Sequence, residues 1–215
     1  MDRNLTLEAV RLTEAAALYA SRYMGKGIED LSYLHASEAM LKVFTTMDID
    51  GEVVIGTGPN AEGSLSDGSK VGNSIGPKVE LAVKPLDGKK TCAKGGLNAI
   101  SIIAVGDVGS FFKTPVLYME KIAVGKAAKG VVDINQKVDI NIKRVARAKG
   151  KYIDDITVCV LDRDRNARII DEIRKTGAKI RFITDGDISG AISTAFEDKA
   201  VDMLMGIGGA KEGVL

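Results

Sequence analysis

Tryptophan is absent from the 215 residues, histidine occurs once, cysteine twice and proline four times, and aromatic residues make up 5%. Each scarcity excludes something. The two cysteines, Cys92 and Cys159, are too few and too far apart for a disulfide framework or a structural zinc site. A single histidine, His35, nearly excludes a histidine-based triad or a multi-histidine metal centre within the chain. No stretch approaches the ~20 apolar residues of a membrane span, and the opening MDRNLTLEAVRLTEAA lacks the apolar core of a signal peptide. The expected location is therefore cytoplasmic, with no membrane partner. Neither charge sign dominates either: 30 Lys and Arg against 29 Asp and Glu leave a net charge of +1. No global field recruits nucleic acid. Any chemistry must rest on carboxylates, lysines, arginines or backbone amides.

What is present is an ordinary globular composition, 45% hydrophobic and 27% charged, enough to build a core in one domain or two small ones. Leu12, Ala15, Ala16, Tyr19 and Tyr23 fall at helical spacing, and Gly25 and Gly27 stop the helix. A second helix, capped near Asp30 or Ser32, carries Ala36, Met40, Val43 and Met47 and breaks at Asp50-Gly51; its stripe is core packing. Residues 52–55 predict a short strand, and 56–76 a Gly-, Ser-, Asn- and Asp-rich excursion. Val79, Leu81 and Val83 alternate with Glu80, Ala82 and Lys84, a half-buried strand that Pro85 should end. The run 100–105 suits a strand buried on both faces. Phe111-Phe112 and 118–124 predict further strands, and 138–149 a basic helix closed by Gly150.

The last third has a plainer rhythm. Strands at 157–161, 179–184 and 201–205 alternate with helices at 166–176 and 188–197, which is the pattern of a parallel sheet. We therefore expect an α/β domain over 1–150 and a βαβαβ domain over 151–215. The segments beyond the three strands are Asp162-Arg163-Asp164-Arg165, Asp185-Gly186-Asp187 and Gly206-Ile207-Gly208-Gly209. In an open parallel sheet such segments converge on one crevice. Arginines grip phosphate, carboxylates accept sugar hydroxyls, and bare backbone amides receive an anion. A phosphorylated polyhydroxylated molecule fits that set; so does a solvated surface where the same charges pair with each other or with water.

Other motifs carry less. Gly56-Thr57-Gly58-Pro59-Asn60-Ala61 has dinucleotide-fingerprint glycines but no following apolar period for the helix that fingerprint needs. Lys84-Pro85-Leu86-Asp87-Gly88-Lys89-Lys90-Thr91 suits either a phosphate loop or a solvated β-turn, and local sequence favours the turn, with Gly88 supplying the unusual backbone angle. Cys92, between lysines, suits either a reactive thiol of lowered pKa or an inert filler, the commoner role, and Cys159, inside a strand, is a filler. The basic helix has no interleaved aromatics and is a solvated face rather than a nucleic-acid patch.

Several separated motifs, in order, carry a resemblance. These are Met24-Gly25-Lys26-Gly27 after the first helix, Asp48-Ile49-Asp50-Gly51 running into Val53-Val54-Ile55-Gly56, Ala104-Val105-Gly106-Asp107, Tyr118-Met119-Glu120-Lys121, Asp185-Gly186-Asp187 and Gly206-Ile207-Gly208-Gly209-Ala210-Lys211-Glu212-Gly213. The chain resembles class II fructose-1,6-bisphosphatases from end to end. That resemblance implies a layered α/β sugar-phosphatase fold and removal of the 1-phosphate of fructose 1,6-bisphosphate, in gluconeogenesis or glycerol metabolism, with magnesium or manganese activating water. Hard cations and phosphoryl charge call for carboxylates. It also implies that substrate is held at Gly88, Lys89, Tyr118, Arg163, Arg165, Asp185, Gly186, Asp187, Gly209 and Glu212.

The metal side departs from the family pattern. Tyr33, Thr57 and Lys84 stand where the family has acids, Glu29 where it has a lysine, and Asp87 is the one remnant metal and catalytic carboxylate. Lys84 and Lys89 can offset phosphate charge but cannot acidify a water as a metal does. The expectation is a catalytically impaired homologue that keeps a phosphosugar-binding, structural or regulatory role and needs no cofactor. Its alternative is an active phosphatase using magnesium or manganese, its site rebuilt from Glu29, Asp30, Asp87 and Glu62 or Asp67. Family members continue beyond the Gly-Ile-Gly-Gly-Ala segment, so the second domain is expected to be truncated, its last strand an unprotected edge, and the chain to pair with itself or a homologue.

Overall fold

The computed structural model describes residues 3–57 and 65–215. By internal contacts the chain divides into two units, one running to Pro115 and including Val214–Leu215, the other Val116–Gly213. The division falls well upstream of the expected residue 150, because strand Tyr118–Val124 pairs along its whole length with Met203–Gly209.

In the first unit, helices α1 (Arg3–Ser21) and α2 (Glu29–Phe44) precede a four-stranded sheet of β1 (Asp50–Ile55), β2 (Lys70–Val71), β3 (Lys78–Asp87) and β4 (Ile100–Gly106), with short helix α3 (Lys89–Ala93) between β3 and β4. The strand order is β2-β1-β3-β4, with β1 and β3 parallel and the outer pairings antiparallel. The helical stripes predicted from spacing do face the core: Leu12, Ala16, Ala36, Met40 and Met47 are buried with Val53, Leu81 and Val83. Burying each such side chain contributes about 1.5–3 kcal/mol. The opposite face of the sheet holds a smaller cluster of Val54, Ile55 and Ala82, against which Ala104 and Phe111 pack.

Several local expectations are corrected. Neither Asp30 nor Ser32 caps α2. Ile28 occupies the cap without a side-chain bond, and the Ser32 hydroxyl donates to the Glu29 carbonyl at 2.7 Å, inside the first turn. Pro85 does not end β3. The last β3 residue paired with β1 is Ala82, and the β4 ladder shifts register between Lys84 and Asp87, so the missing proline N–H falls where no regular ladder bond is required. β4 is an edge strand, half-buried at every residue, not one buried on both faces. Phe111-Phe112 is not a strand: a turn closes from the Ser110 amide to the Asp107 carbonyl at 3.0 Å. Phe111 then lies across the sheet cluster.

In the second unit, β5 (Tyr118–Val124), α4 (Val138–Lys149), β6 (Thr157–Leu161), α5 (Ala167–Thr176), β7 (Lys179–Ile183), α6 (Asp187–Ser193) and β8 (Met203–Gly209) are followed by the short α7 (Ala210–Val214). Gly150 and Gly177 close α4 and α5 with φ of +62° and +87°, the left-handed conformation glycine adopts without a Cβ penalty. The sheet order is β5-β8-β6-β7, with β6 parallel to both β7 and β8 and β5 antiparallel to β8. The parallel trio matches the predicted rhythm; the antiparallel fourth strand was assigned by sequence to the other domain. Because the chain steps outward from β6 to β7 and then back across to β8, right-handed crossovers put α5 and α6 on opposite faces. Ile170 and Ile173 of α5 join Val145 of α4, Val158 and Val160 in one core, while Ala191 of α6 packs with Cys159, Val201 and Leu204 in the other.

Three further corrections matter for the site. β8 begins at Met203 and runs through Gly209, so the glycine segment is strand rather than a loop beyond one. That last strand lies between β5 and β6, so it is no edge, which removes the ground on which self-association was expected. α6 stops at Ser193, short of the predicted 197, because the Ser193 and Thr194 hydroxyls donate to the Ser189 and Ala191 carbonyls, both at 2.8 Å, and compete with the helix ladder.

Candidate functional site

In the second unit, the topology places a switch point between neighbouring β6 and β8, whose connections leave to opposite faces, and ligands of open α/β sheets bind at the carboxyl ends of such strands. Four side chains organise that end. Asn166, fully buried, accepts the Ile207 amide at 2.7 Å and donates to the Leu161 carbonyl at 2.9 Å. It sutures the end of β6 to β8. Arg163 donates to the Asp162 carbonyl at 2.7 Å and to the Thr184 carbonyl at 2.5 Å, tying the end of β6 to that of β7. Arg165 donates through Nε to the Ile207 carbonyl at 3.0 Å and lies 4.5 Å from the centroid of the Tyr118 ring. With Nε committed and the guanidinium stacked, its two Nη groups are what it can offer a phosphate, and that pre-orientation lowers the entropy lost on binding.

The fourth organiser is Lys121, which sequence reasoning missed as an individual residue. Its ammonium donates to Oδ2 of Asp187 at 2.6 Å, and both side chains are largely buried, 13% and 8% exposed. Alternation along β5 separates two groups: Ile122 and Val124 join the α4–α5 core while Ala123 joins the α6 core. Tyr118 and Arg165 therefore belong to the α5 face, and Lys121 with Asp187 to the α6 face. Asp185 accepts the Gly186 amide at 3.0 Å, and Gly186, with φ of +77°, turns the chain into α6.

The glycines of β8 are explained by space rather than by an anion-binding nest. A Cβ on Gly208 would lie 2.1 Å from Oδ2 of Asp187 and 3.1 Å from Nζ of Lys121. One on Gly209 would meet the Glu212 carboxylate at 1.9 Å, and one on Gly206 the Asn166 amide at 3.1 Å. Each glycine leaves room for a polar side chain. Tyr118 stands opposite Gly209 in the ladder, so Tyr118, Arg165, Gly209 and Glu212 gather around one end of β8. The signal for Asn166 was available in the sequence as a helix-entry asparagine after Asp162-Arg163-Asp164-Arg165. Nothing local identified Lys121.

In the first unit, Asp87 ends β3 at 3% exposure, Gly88 follows with φ of +85°, and Lys89 opens α3. The segment expected to be a solvated β-turn is thus a buried strand end entering a helix. Lys89 donates to Asp30 at 2.9 Å. Lys84 and Tyr33 are half-buried. Thr57 is buried, and its Oγ1 has no hydrogen-bond partner among the described residues. Asp67 accepts the Gly56 amide at 2.7 Å, and the Thr57 amide donates to the Leu65 carbonyl at 2.9 Å. Glu62 and the second glycine of the fingerprint-like motif, Gly58, lie outside the described residues. Among the described residues no three of His, Cys, Asp and Glu gather as a metal site. Among the described residues, the buried Asp87 carboxylate and the Thr57 hydroxyl alone do not make up the several oxygen ligands that a divalent cation takes.

Neither cysteine offers a nucleophile. Burial pushes the Cys92 thiol up and Cys159 up to about 11, with Arg181 opposing that shift and Asp187 adding to it. His35 stacks on Tyr23 with ring centroids 5.0 Å apart and bonds Glu38 at 3.0 Å. The basic helix is largely occupied by structural pairs, Lys143 with Asp139 at 2.8 Å and Lys149 with Asp202 at 2.5 Å. No helix among the described residues is long and apolar enough to cross a membrane.

Two mixed sheets, one with parallel strands whose carboxyl ends carry Arg163 and Arg165, make this an α/β protein of the open-sheet class. Comparison with known proteins makes this specific. The family described as bacterial fructose-1,6-bisphosphatase, glpX-encoded, matches residues 3–215, and the chain belongs to that family. It is 42% identical over 215 residues to "Fructose-1,6-bisphosphatase class 2" of Haemophilus influenzae, covering 100% of this chain and 65% of that protein. It is 40% identical over 216 residues to "Fructose-1,6-bisphosphatase 1 class 2" of Escherichia coli, covering 100% of this chain and 64% of the relative. The chain thus spans just under two thirds of the length of these relatives.

Proposed function

We propose that this family member binds a phosphorylated sugar of the fructose 1,6-bisphosphate type through Tyr118, Arg165, Asp185 and Asp187, and is impaired in metal-dependent hydrolysis. The phosphosugar half is supported by Arg165, held by Ile207 and Tyr118 so that its outer donors form a fork for a phosphate. The impaired half rests on the resemblance, by which Lys84 and Thr57 stand where the family has carboxylates and Asp87 is the remnant acid, and on Asp30, a candidate for a rebuilt site, being paired with Lys89. A lysine in place of a carboxylate removes a metal ligand and generates no hydroxide nucleophile. No hydrolytic step follows from the described residues. The protein binds, and the sugar phosphate leaves unchanged.

Calorimetry with fructose 1,6-bisphosphate, run with and without manganese, tests binding, and phosphate release under the same conditions tests turnover. Heat of binding that does not depend on metal, with no phosphate released, is expected. The name shared by the relatives favours the competing result, ordinary fructose-1,6-bisphosphatase activity. Release of phosphate that a chelator abolishes and Asp87→Ala removes would establish it and overturn the impaired half.

A further inference from the structure

We propose that Lys121 is a positioning residue of the phosphosugar crevice, acting through Asp187 by cancelling its charge and fixing its orientation. The inference rests on the reading that this crevice holds a sugar phosphate. Its ground is the 2.6 Å contact between Lys121 Nζ and Asp187 Oδ2, made by two side chains only 13% and 8% exposed. On the proposed reading Asp187 lines a site that takes a phosphorylated ligand, and a carboxylate there repels the ligand unless a cation accompanies it, most strongly where water is excluded. Lys121 supplies that cation from β5, on the side away from the arginines. It also occupies Oδ2, which leaves Oδ1 as the oxygen able to accept a sugar hydroxyl.

The surroundings are shaped for this pair. Gly208 carries no side chain where any Cβ would strike Oδ2, although its backbone is not among those with positive φ. Its glycine identity answers to space for the pair. Gly213 makes similar room on the other side, since a Cβ there would lie 3.2 Å from Cε of Lys121 and 2.3 Å from the sulfur of Met119. A cavity of about 10 Å³, lined by Lys121, Leu161, Asp187, Leu204 and Gly208 among others, adjoins the pair. That is room for about one water, so on this side nothing larger competes for the contact between the ammonium and Oδ2.

The test is calorimetric titration of fructose 1,6-bisphosphate into the whole protein and into Lys121→Met and Lys121→Met/Asp187→Asn variants, with circular dichroism as the check on folding. Lys121→Met is expected to weaken binding at least tenfold, because Asp187 is left as an uncompensated anion. Removing that anion in the double variant should recover at least threefold of the lost affinity, short of the parent because Asp187 itself takes part in binding. If Lys121→Met fails to fold, Lys121→Gln, which keeps a donor to Oδ2 without the charge, takes its place with the same expectation. Binding by the parent with unchanged affinity in the single variant, or a double variant no better than the single, overturns the inference alone. Absence of binding by the parent overturns the phosphosugar reading on which it rests.

Discussion

At the scale of the residue, the crevice depends on polar side chains that hold backbone rather than ligand. Asn166 is the plainest case. Its amide satisfies the Ile207 N–H and the Leu161 carbonyl together, and both strand ends would otherwise present unpaired groups at a buried position. Truncation strands those partners, so Asn166→Ala is expected to lower unfolding stability by about 1–3 kcal/mol, the cost of unsatisfied buried polar groups. Urea denaturation measures the loss. The variant should also bind fructose 1,6-bisphosphate more weakly, since Arg165 donates to the carbonyl of the same Ile207. A stability within 0.5 kcal/mol of the parent, about the effect of an ordinary surface substitution, would mean that Asn166 is not the suture its hydrogen bonds describe.

At the scale of the element, the connection into β8 is fixed by Asp202, 3% exposed. It accepts Lys149 at 2.5 Å and Lys151 at 2.8 Å, and the Thr157 amide at 2.9 Å. Burial pushes its carboxyl up, but the bonds from Lys149, Lys151 and the Thr157 amide outweigh burial and hold it below the ordinary carboxylate value. A carboxyl lowered on folding stabilises the fold above the unfolded-state value, roughly pH 4, and that contribution disappears as pH falls through the folded-state value. Asp202→Asn should therefore cost about 1–3 kcal/mol at pH 7, the range for charge-assisted hydrogen bonds. The gap between variant and parent should shrink as denaturation is repeated at progressively lower pH, and a gap that does not change with pH would contradict the assignment.

Elements of this kind also mark what could be read in advance. α4 and the parallel strands β6 and β7 were legible because their periods are regular and Gly150 and Gly177 punctuate them. The full extent of β3 was not, because Pro85 breaks the rule everywhere except in an irregular ladder, and ladder irregularities are tertiary facts. β8 was misplaced for a related reason: glycines read as loop until the side chains of Asn166, Asp187 and Glu212 that require them are in place. The same gap hid Lys121, whose partner lies 66 residues away in sequence. Arg163 and Arg165 stood out by residue type, but that Arg163 bonds two carbonyls while Arg165 stacks on Tyr118 depends on loops meeting in space.

At the scale of the whole molecule, the proposed loss of the metal side makes a claim about linkage. Whatever binds the native state and not the unfolded chain raises the unfolding temperature in proportion to RT ln(1 + [L]/Kd). A divalent ion needs several oxygen ligands to bind appreciably, and among the described residues no three candidate ligands gather. Millimolar manganese is accordingly expected to leave the melting temperature unchanged. Fructose 1,6-bisphosphate at a hundredfold excess over its dissociation constant should contribute about 2.7 kcal/mol, which for a chain of this size corresponds to a rise of roughly 5–10 °C. Scanning calorimetry with manganese alone, sugar bisphosphate alone and both together separates the terms. If Lys84 and Lys89 stand in for the ion, the combined shift equals that of the sugar alone. A combined shift clearly larger than that would mean that metal and substrate bind cooperatively, and the lysines would then have to be regarded as neighbours of a working metal site rather than its replacement.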